Sequence, residues 1–135
     1  MFVVDASVAL AWCFADESSE SADRALGRLE QDEALAPATW PLEVANGLRT
    51  AEQRGRLDLA DLAHVRELLL SLPVEIESVS LGTALGEVTD LARQLDLTAC
   101  DAVYLALAAR HGVALATVDE RLRQACKKAG VELVA

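Results

Sequence analysis

Residues 2–8 read FVVDASV, three apolar residues followed at once by an acid. Phe2, Val3 and Val4 are of the apolar, partly β-branched type that fills a buried strand, and they run straight into a carboxylate, Asp5. Leaving that carboxylate buried and unpaired costs free energy or shifts its pKa, so something must compensate it. Two arrangements would: Asp5 as the N-cap of a helix that starts at Ala6, or Asp5 as a ligand for a cation. The neighbouring residues leave both open.

Outward from Asp5 the chain alternates short apolar runs with stretches of helical period. Phe2–Asp5, Ala34–Ala36, Val74–Glu77, Val113–Thr117 and Val131–Val134 read as strands. Between them apolar residues recur at helical spacing: Ala22, Ala25, Leu26 and Leu29; Leu62, Val65, Leu69 and Leu72; Leu85, Val88, Leu91, Ala92 and Leu95. Gly112 and Gly130 each stand just before a strand, where a helix C-cap is expected. Strands separated by helices predict a three-layer α/β/α fold with a mainly parallel central sheet of about five strands. At 135 residues the chain has the size of one ordinary domain, and with 53% hydrophobic but only 4% aromatic residues its core must be mostly Leu, Val and Ala.

Several classes are disfavoured by composition. No charged, apolar and small-residue leader opens the sequence, and apolar runs such as AVYLALAA (102–109) fall far short of a membrane span. A soluble, cytoplasmic protein with no membrane partner is expected. Cys13, Cys100 and Cys126 lack CxxC spacing, which suggests buried free thiols and neither a disulfide framework nor a thiolate zinc site. A net charge of −10 at pH 7 repels polyanions and argues against a general nucleic-acid coat protein. A nucleic-acid enzyme of this charge needs cations between its carboxylates and the phosphates.

In an open parallel sheet, chemistry gathers beyond the carboxyl ends of the strands. Asp5 closes the first strand. Glu43 lies in TWPLEVANGL (39–48), in a first helical turn after Pro41. Asp101 sits in the first turn of the helix within LTACDAVYLALAARHG (97–112), and Asp119 follows the strand VALAT (113–117) and precedes the helix ERLRQACKKA (120–129). Each has a local reading: Asp5 and Asp119 as N-caps, Thr98 with Asp101 as a capping box, Glu43 as a complement to a helix dipole. Local roles do not explain why all four abut apolar core segments, whereas Asp16, Glu17, Glu20, Glu30, Asp32 and Glu33 sit among polar residues as a solvated face. If the four meet, they need a cation or protons, because one like-charge pair about 4 Å apart repels by roughly 4 kcal/mol at an effective dielectric of about 20. All-oxygen ligation selects Mg²⁺, with Mn²⁺ as the alternative; neither His64 nor His111 has zinc-motif spacing, and His111 suits a dipole contact at a helix C-terminus.

FVVDASV with Asp5, LEVANGL with Glu43, LTACDAVYLALA with Asp101 and LATVDERL with Asp119 resemble the four acidic motifs of PIN-domain ribonucleases. Their order across nearly the whole chain is most similar to that of the VapC toxins of bacterial type II toxin–antitoxin pairs. The resemblance implies a single PIN domain over residues 1–135, acting as a metal-dependent endoribonuclease that hydrolyses RNA phosphodiester bonds. It implies Asp5 and Asp101 as principal metal ligands, with Glu43 and Asp119 completing the catalytic acidic cluster. Ser7, Asn46 and Thr117 match polar positions beside that cluster, and each fits a local backbone bond or cap equally well. Cys100 would be an unusual neighbour for a hard cation and is expected to point into the core. A homodimer and a cognate VapB-type antitoxin are implied as partners. In such a site a bound ion lowers the pKa of water and neutralises phosphate, and a carboxylate orients the attacking water. Whether one ion or two take part is open at this point.

Arg121, Arg123, Lys127 and Lys128 follow Asp119 and are candidates to hold RNA backbone, or else form a solvated helix face. A folded RNA offering one exposed loop suits such a local patch better than a long coated strand. ELLLSL (67–72) carries Leu68, Leu69, Leu70 and Leu72, wider than one helix stripe needs, and reads as a buried helix or a partner surface. A receiver domain would need a pair of adjacent acids after the first strand, and a haloacid-dehalogenase-type phosphatase would need Asp-x-Asp; the chain has Asp5-Ala6-Ser7. The remaining alternative is a catalytically inactive PIN-like module that acts through protein or nucleic-acid contacts, against which the presence of all four acids argues.

Overall fold

The opening strand lies inside the sheet. In the computed structural model, which describes residues 1–134, β1 (Phe2–Val4) sits between β2 (Ala34–Pro37) and β4 (Leu115–Ala116), and β3 (Val74–Glu77) lies outside β2. Every pairing is parallel, with Val3 opposite both Leu35 and Leu115. Helices flank the sheet, as the three-layer reading expects, and Phe2, Val3 and Val4 are accordingly fully buried. The chain winds outward from β1 through β2 to β3, then returns to place β4 on the other side of β1. The carboxyl ends of β1 and β4 therefore form a topological switch point, where the connections diverge and leave a crevice.

The helices are α1 (Ala6–Cys13), α2 (Glu20–Arg28), α3 (Trp40–Gln53), α4 (Leu59–Ser71), α5 (Leu81–Thr83), α6 (Thr89–Leu95), α7 (Ala99–His111) and α8 (Glu120–Ala129). Helix α7 packs on β1, β2 and β4 and is the innermost, with every residue from Ala102 to Ala108 buried. Small residues let it lie close to the sheet. Helix α3 meets α1 at Gly47, where a Cβ would stand 2.5 Å from Leu10 Cδ1. Glu43 is one turn earlier on the same stripe of α3, so this close approach also sets how near Glu43 comes to the start of α1. Gly112 and Gly130 cap α7 and α8 in the left-handed conformation, φ 65° and 74°, as expected of glycines in these places.

Three expectations need correction. Val131–Val134 does not form a fifth strand: the Leu115 amide donates to Glu132 O, the Val134 amide donates to Leu115 O, and the pairing amounts to a single bridge between Leu115 and Leu133. With β4 only two residues long, there is no longer ladder to join. The helical period assigned to Leu85–Leu95 breaks at Leu85, which is exposed, because Ala84–Val88 form a π-helical turn that inserts a residue and rotates the face. Thr89 Oγ1 bonds Ala84 O across that turn at 2.7 Å. Finally, of the two readings of ELLLSL, a buried helix or a partner surface, the buried helix does not hold for α4. It lays one stripe, centred on Val65, against the core, and Leu70 is 86% exposed. Among the described residues no helix is long and apolar enough to cross a membrane.

Candidate active site

Asp5 fills the first of its two possible roles without giving up the second. Its backbone is extended, and Oδ1 accepts hydrogen bonds from the Val8 amide (3.0 Å) and the Ser7 hydroxyl (2.7 Å), which makes it the N-cap of α1. Both bonds use one oxygen, Oδ1. The side chain is 4% exposed, and among the described residues no cation pairs with it. Burial holds its carboxyl above the usual range; the Thr117 and Ser7 hydroxyls and the Val8 amide pull it partly back, and the charge of Asp119 pushes it up again.

Ser7 and Thr117 join the ends of β1 and β4. The Ser7 hydroxyl accepts from the Val118 amide (3.1 Å) and lies 3.4 Å from Thr117 Oγ1, which in turn accepts from the Asp119 amide (3.0 Å). Thr117 thus makes the local backbone bond the sequence allowed, whereas Ser7 bonds across the sheet to the Val118 amide, and together they tie the strand that ends at Asp5 to the segment that carries Asp119. Asp119 Oδ1 caps α8 through the amides of Arg121 (2.9 Å) and Leu122 (3.4 Å).

Glu43 and Asp101 come from the other side. Glu43 is half-buried in the first turn of α3, and its Oε1 is shut off from solvent with no hydrogen-bond partner. Burial raises its carboxyl above the usual range, the nearby Tyr104 hydroxyl lowers it, and the charges of Asp101 and Asp5 raise it further. Asp101 stands in the first turn of α7, where its amide donates to Thr98 Oγ1 at 3.2 Å. This is the forward half of a capping box; the complete, reciprocal box occurs instead at Asp58 and Asp61 on α4. The Asp101 carboxylate is thus not spent on its own helix.

Mutual charge links the four acids in a chain: Asp119 with Asp5, Asp5 with Glu43, and Glu43 with Asp101. Each stands at or beside a helix start, where the positive end of the dipole offsets part of their repulsion. Among the described residues, however, no three His, Cys, Asp or Glu side chains close into a ready-made metal cage. Mg²⁺ does not require one, since it keeps several waters and takes one or two carboxylates from the protein. The all-oxygen donor set, the orphaned Glu43 Oε1 and the unpaired, buried Asp5 suit such an ion.

Tyr104 escaped the sequence reading. It is 1% exposed, and its hydroxyl lies close to Glu43, yet neither group closes a hydrogen bond of good geometry. Burial, followed by the Glu43 charge, pushes the phenol up, so it stays a protonated donor. The available signal was a hydroxyl inside AVYLALAA, three residues after Asp101 and so on the same helix face. Cys100, expected in the core, is exposed, because the buried stretch of α7 begins only at Ala102. Asn46 is exposed on α3, three residues after Glu43.

The four cations of α8 do not act as one patch. Arg123 Nη1 donates to Thr117 O (2.9 Å), and Arg121 Nη2 donates to Asp96 O (2.8 Å). Lys127 and Lys128 lie in the last turn, about 12 Å along the axis from Asp119, where they complement the dipole. His111, in the last turn of α7, reaches Glu77 Oε1 at 2.9 Å.

The chain belongs to the PIN-domain family, whose pattern it matches over residues 2–128. Among individual proteins it is similar to Ribonuclease VapC3 of Pyrobaculum aerophilum, with 33% identity over 122 residues, which cover 90% of this chain and 92% of that protein. Its fold is similar to the crystal structure of PAE2754 from the same organism, with a TM-score of 0.69 and 25% identity over 92% of this chain and 83% of that one.

Proposed function

We propose that this chain is a metal-dependent endoribonuclease and the toxin of a VapBC-type pair, acting in the cytoplasm as a homodimer held in check by a VapB-type antitoxin. Residues 1–135 form its single PIN domain. The observation that carries the chemistry is the pair Asp5 and Glu43: buried or half-buried carboxylates without cationic partners, beside Asp101 and Asp119, at the switch point of a parallel sheet. Structures keep such groups where function needs them. Asp5 and Asp101 would hold Mg²⁺, or Mn²⁺, with Glu43 and Asp119 completing the shell through water. When bound, the ion supplies a water of lowered pKa and neutralises phosphate charge. Glu43, with its raised proton affinity, is suited to take a proton from the attacking water, and the Tyr104 hydroxyl is placed to orient it. The name of the relative and the four motifs support RNA as substrate. The exposed leucines Leu59 and Leu70 of α4 offer apolar surface to a second copy or an antitoxin.

A second reading, the inactive binding module, draws on the lack of a closed three-residue cage among the described residues. One experiment separates them. Purified chain is incubated with stem–loop RNA, with Mg²⁺ or with chelator, next to Asp101→Asn. Cleavage that needs Mg²⁺ and is lost in the variant supports the nuclease; binding without cleavage in any divalent metal supports the module.

A further inference from the structure

A cleft opens between the turn that joins α6 to α7 and the exposed side of α8. It has a volume of about 290 Å³, at the small end of ligand pockets. Leu95, Leu97 and Ala125 make its floor, and Arg121, Gln124 and Lys128 its rim. Arg121, Gln124 and Lys128 follow one another at i, i+3 and i+7, so a single stripe of α8 faces the cleft. We infer that this cleft is a nucleotide subsite, which takes one unpaired nucleotide of the RNA next to the scissile phosphate. The inference rests on the nuclease reading and names where its substrate is read.

Position comes first. The two segments that wall the cleft carry two of the four acids: Asp119 caps α8 immediately before the stripe begins, and Leu97 precedes the Thr98 cap of the helix bearing Asp101. The Glu120 and Arg121 end of the cleft therefore lies next along the chain to Asp119, the end at which a nucleotide would lead toward the cluster. Chemistry comes second. Asp96 and Glu120 balance Arg121 and Lys128, so the cleft is nearly neutral and favours a base over a phosphate. An apolar floor with a planar guanidinium at the edge suits the face of an unstacked base. Gln124 Nε2 donates to Glu120 Oε1 at 2.7 Å, which holds the amide in place and leaves its carbonyl oxygen for a base edge. Shape comes third. Asp96 caps α6 in the left-handed conformation, φ 53°, and its carbonyl accepts from Arg121 Nη2, so the turn and α8 are tied together across the cleft. The subsite is formed before the ligand arrives.

The test uses the whole chain with methyl groups of Leu and Ala isotopically labelled. The four nucleoside 5′-monophosphates are titrated in chelator, with ribose 5-phosphate as the baseless control. The expected result is saturable shifts of the Leu95, Leu97 and Ala125 methyls with at least one nucleotide and none with ribose 5-phosphate. Equal shifts with ribose 5-phosphate, or none at these methyls, would overturn the inference. In parallel, Leu97→Trp, which fills the cleft, and the surface substitution Gln124→Leu are assayed on stem–loop RNAs with randomised loops. Both should raise KM about tenfold, with the loss on KM and not on kcat, and alter which loop position is cut. Unchanged KM and cut sites in an active enzyme would remove the subsite and leave the nuclease standing. A chain that cleaves nothing but still shows the methyl shifts would remove the nuclease, and with it the place beside a scissile phosphate, and leave only a nucleotide-binding cleft.

Discussion

Asp5→Asn and Asp5→Ala should part company in stability while sharing one fate in catalysis. Asn keeps an oxygen in the place of Oδ1, and with it the bonds from the Val8 amide and the Ser7 hydroxyl, and Asn caps a helix about as well as Asp. Ala loses the cap, worth about 0.5–2 kcal/mol, and also leaves the half-buried Ser7 hydroxyl without its acceptor, which places it roughly 2–3 kcal/mol below Asn, since both variants lack the buried charge. For a chain of this length that is a fall in Tm of about 10 °C. The pH dependence separates cap from charge. Burial raises the carboxyl of Asp5 in the folded chain above the unfolded value of 3.8, so the folded state binds the proton more tightly. Wild-type stability therefore falls as pH rises from about 3.8 through the raised folded pKa, and stays lowered above it. Asn carries no such loss. Thermal unfolding in chelator, followed by circular dichroism between pH 4 and pH 8, should show Asn at least as stable as wild type at pH 8, with an advantage that shrinks toward pH 4. An Asn variant that loses as much as Ala, or whose difference from wild type does not change with pH, would refute the claim that Asp5 is buried without a cationic partner.

Tyr104→Phe removes a buried hydroxyl that satisfies no hydrogen bond, so denaturant unfolding should change by less than about 1 kcal/mol, while kcat for RNA cleavage falls as Glu43 loses its neighbour. Gly47→Val forces a side chain into Leu10 and should cost about 1–3 kcal/mol; adding Leu10→Ala should recover part of that loss, and strict additivity in the double-mutant cycle would show that α1 and α3 do not meet there. Ser7→Ala removes the donor to Asp5 and the acceptor for Val118, and should lower stability by about 1 kcal/mol and weaken Mn²⁺ binding together; a change in neither would deny Ser7 its place between the strand ends.

FVVDASV was legible because strand, cap and acid each have a local signature, and the glycine caps of α7 and α8 were legible for the same reason. That the acids would stand at the carboxyl ends of strands followed from alternation, but the switch point between β1 and β4 depends on strand order, which alternation does not give. What local pattern could not carry was register and count. The π-helical turn at Ala84–Val88 shifts a face without any proline or glycine pair to announce it, and the Val131–Val134 run has full strand composition but only a two-residue partner. The acids were identified by place and not by contact: that Asp5 would cap its helix through Oδ1 alone is a matter of which lone pairs are used. Tyr104 was hidden because one hydroxyl in a run of apolar residues looks like core. The basic residues of α8 looked like one group in sequence and divide in space, since helical geometry sends Arg121 and Arg123 to different faces.

Metal binding by the chain alone asks whether the acids hold a divalent ion together. Mn²⁺ is titrated into wild type, Asp5→Asn and Asp101→Asn without RNA, following the paramagnetic relaxation of labelled methyl groups and the rise in Tm with metal concentration. The expected result is saturable binding to wild type, with relaxation greatest at Val4, Val44, Val103 and Thr117, and loss of binding in both variants. Relaxation spread over the acidic surface of Asp16, Glu17 and Glu20, or equal binding by wild type and both variants, would contradict it.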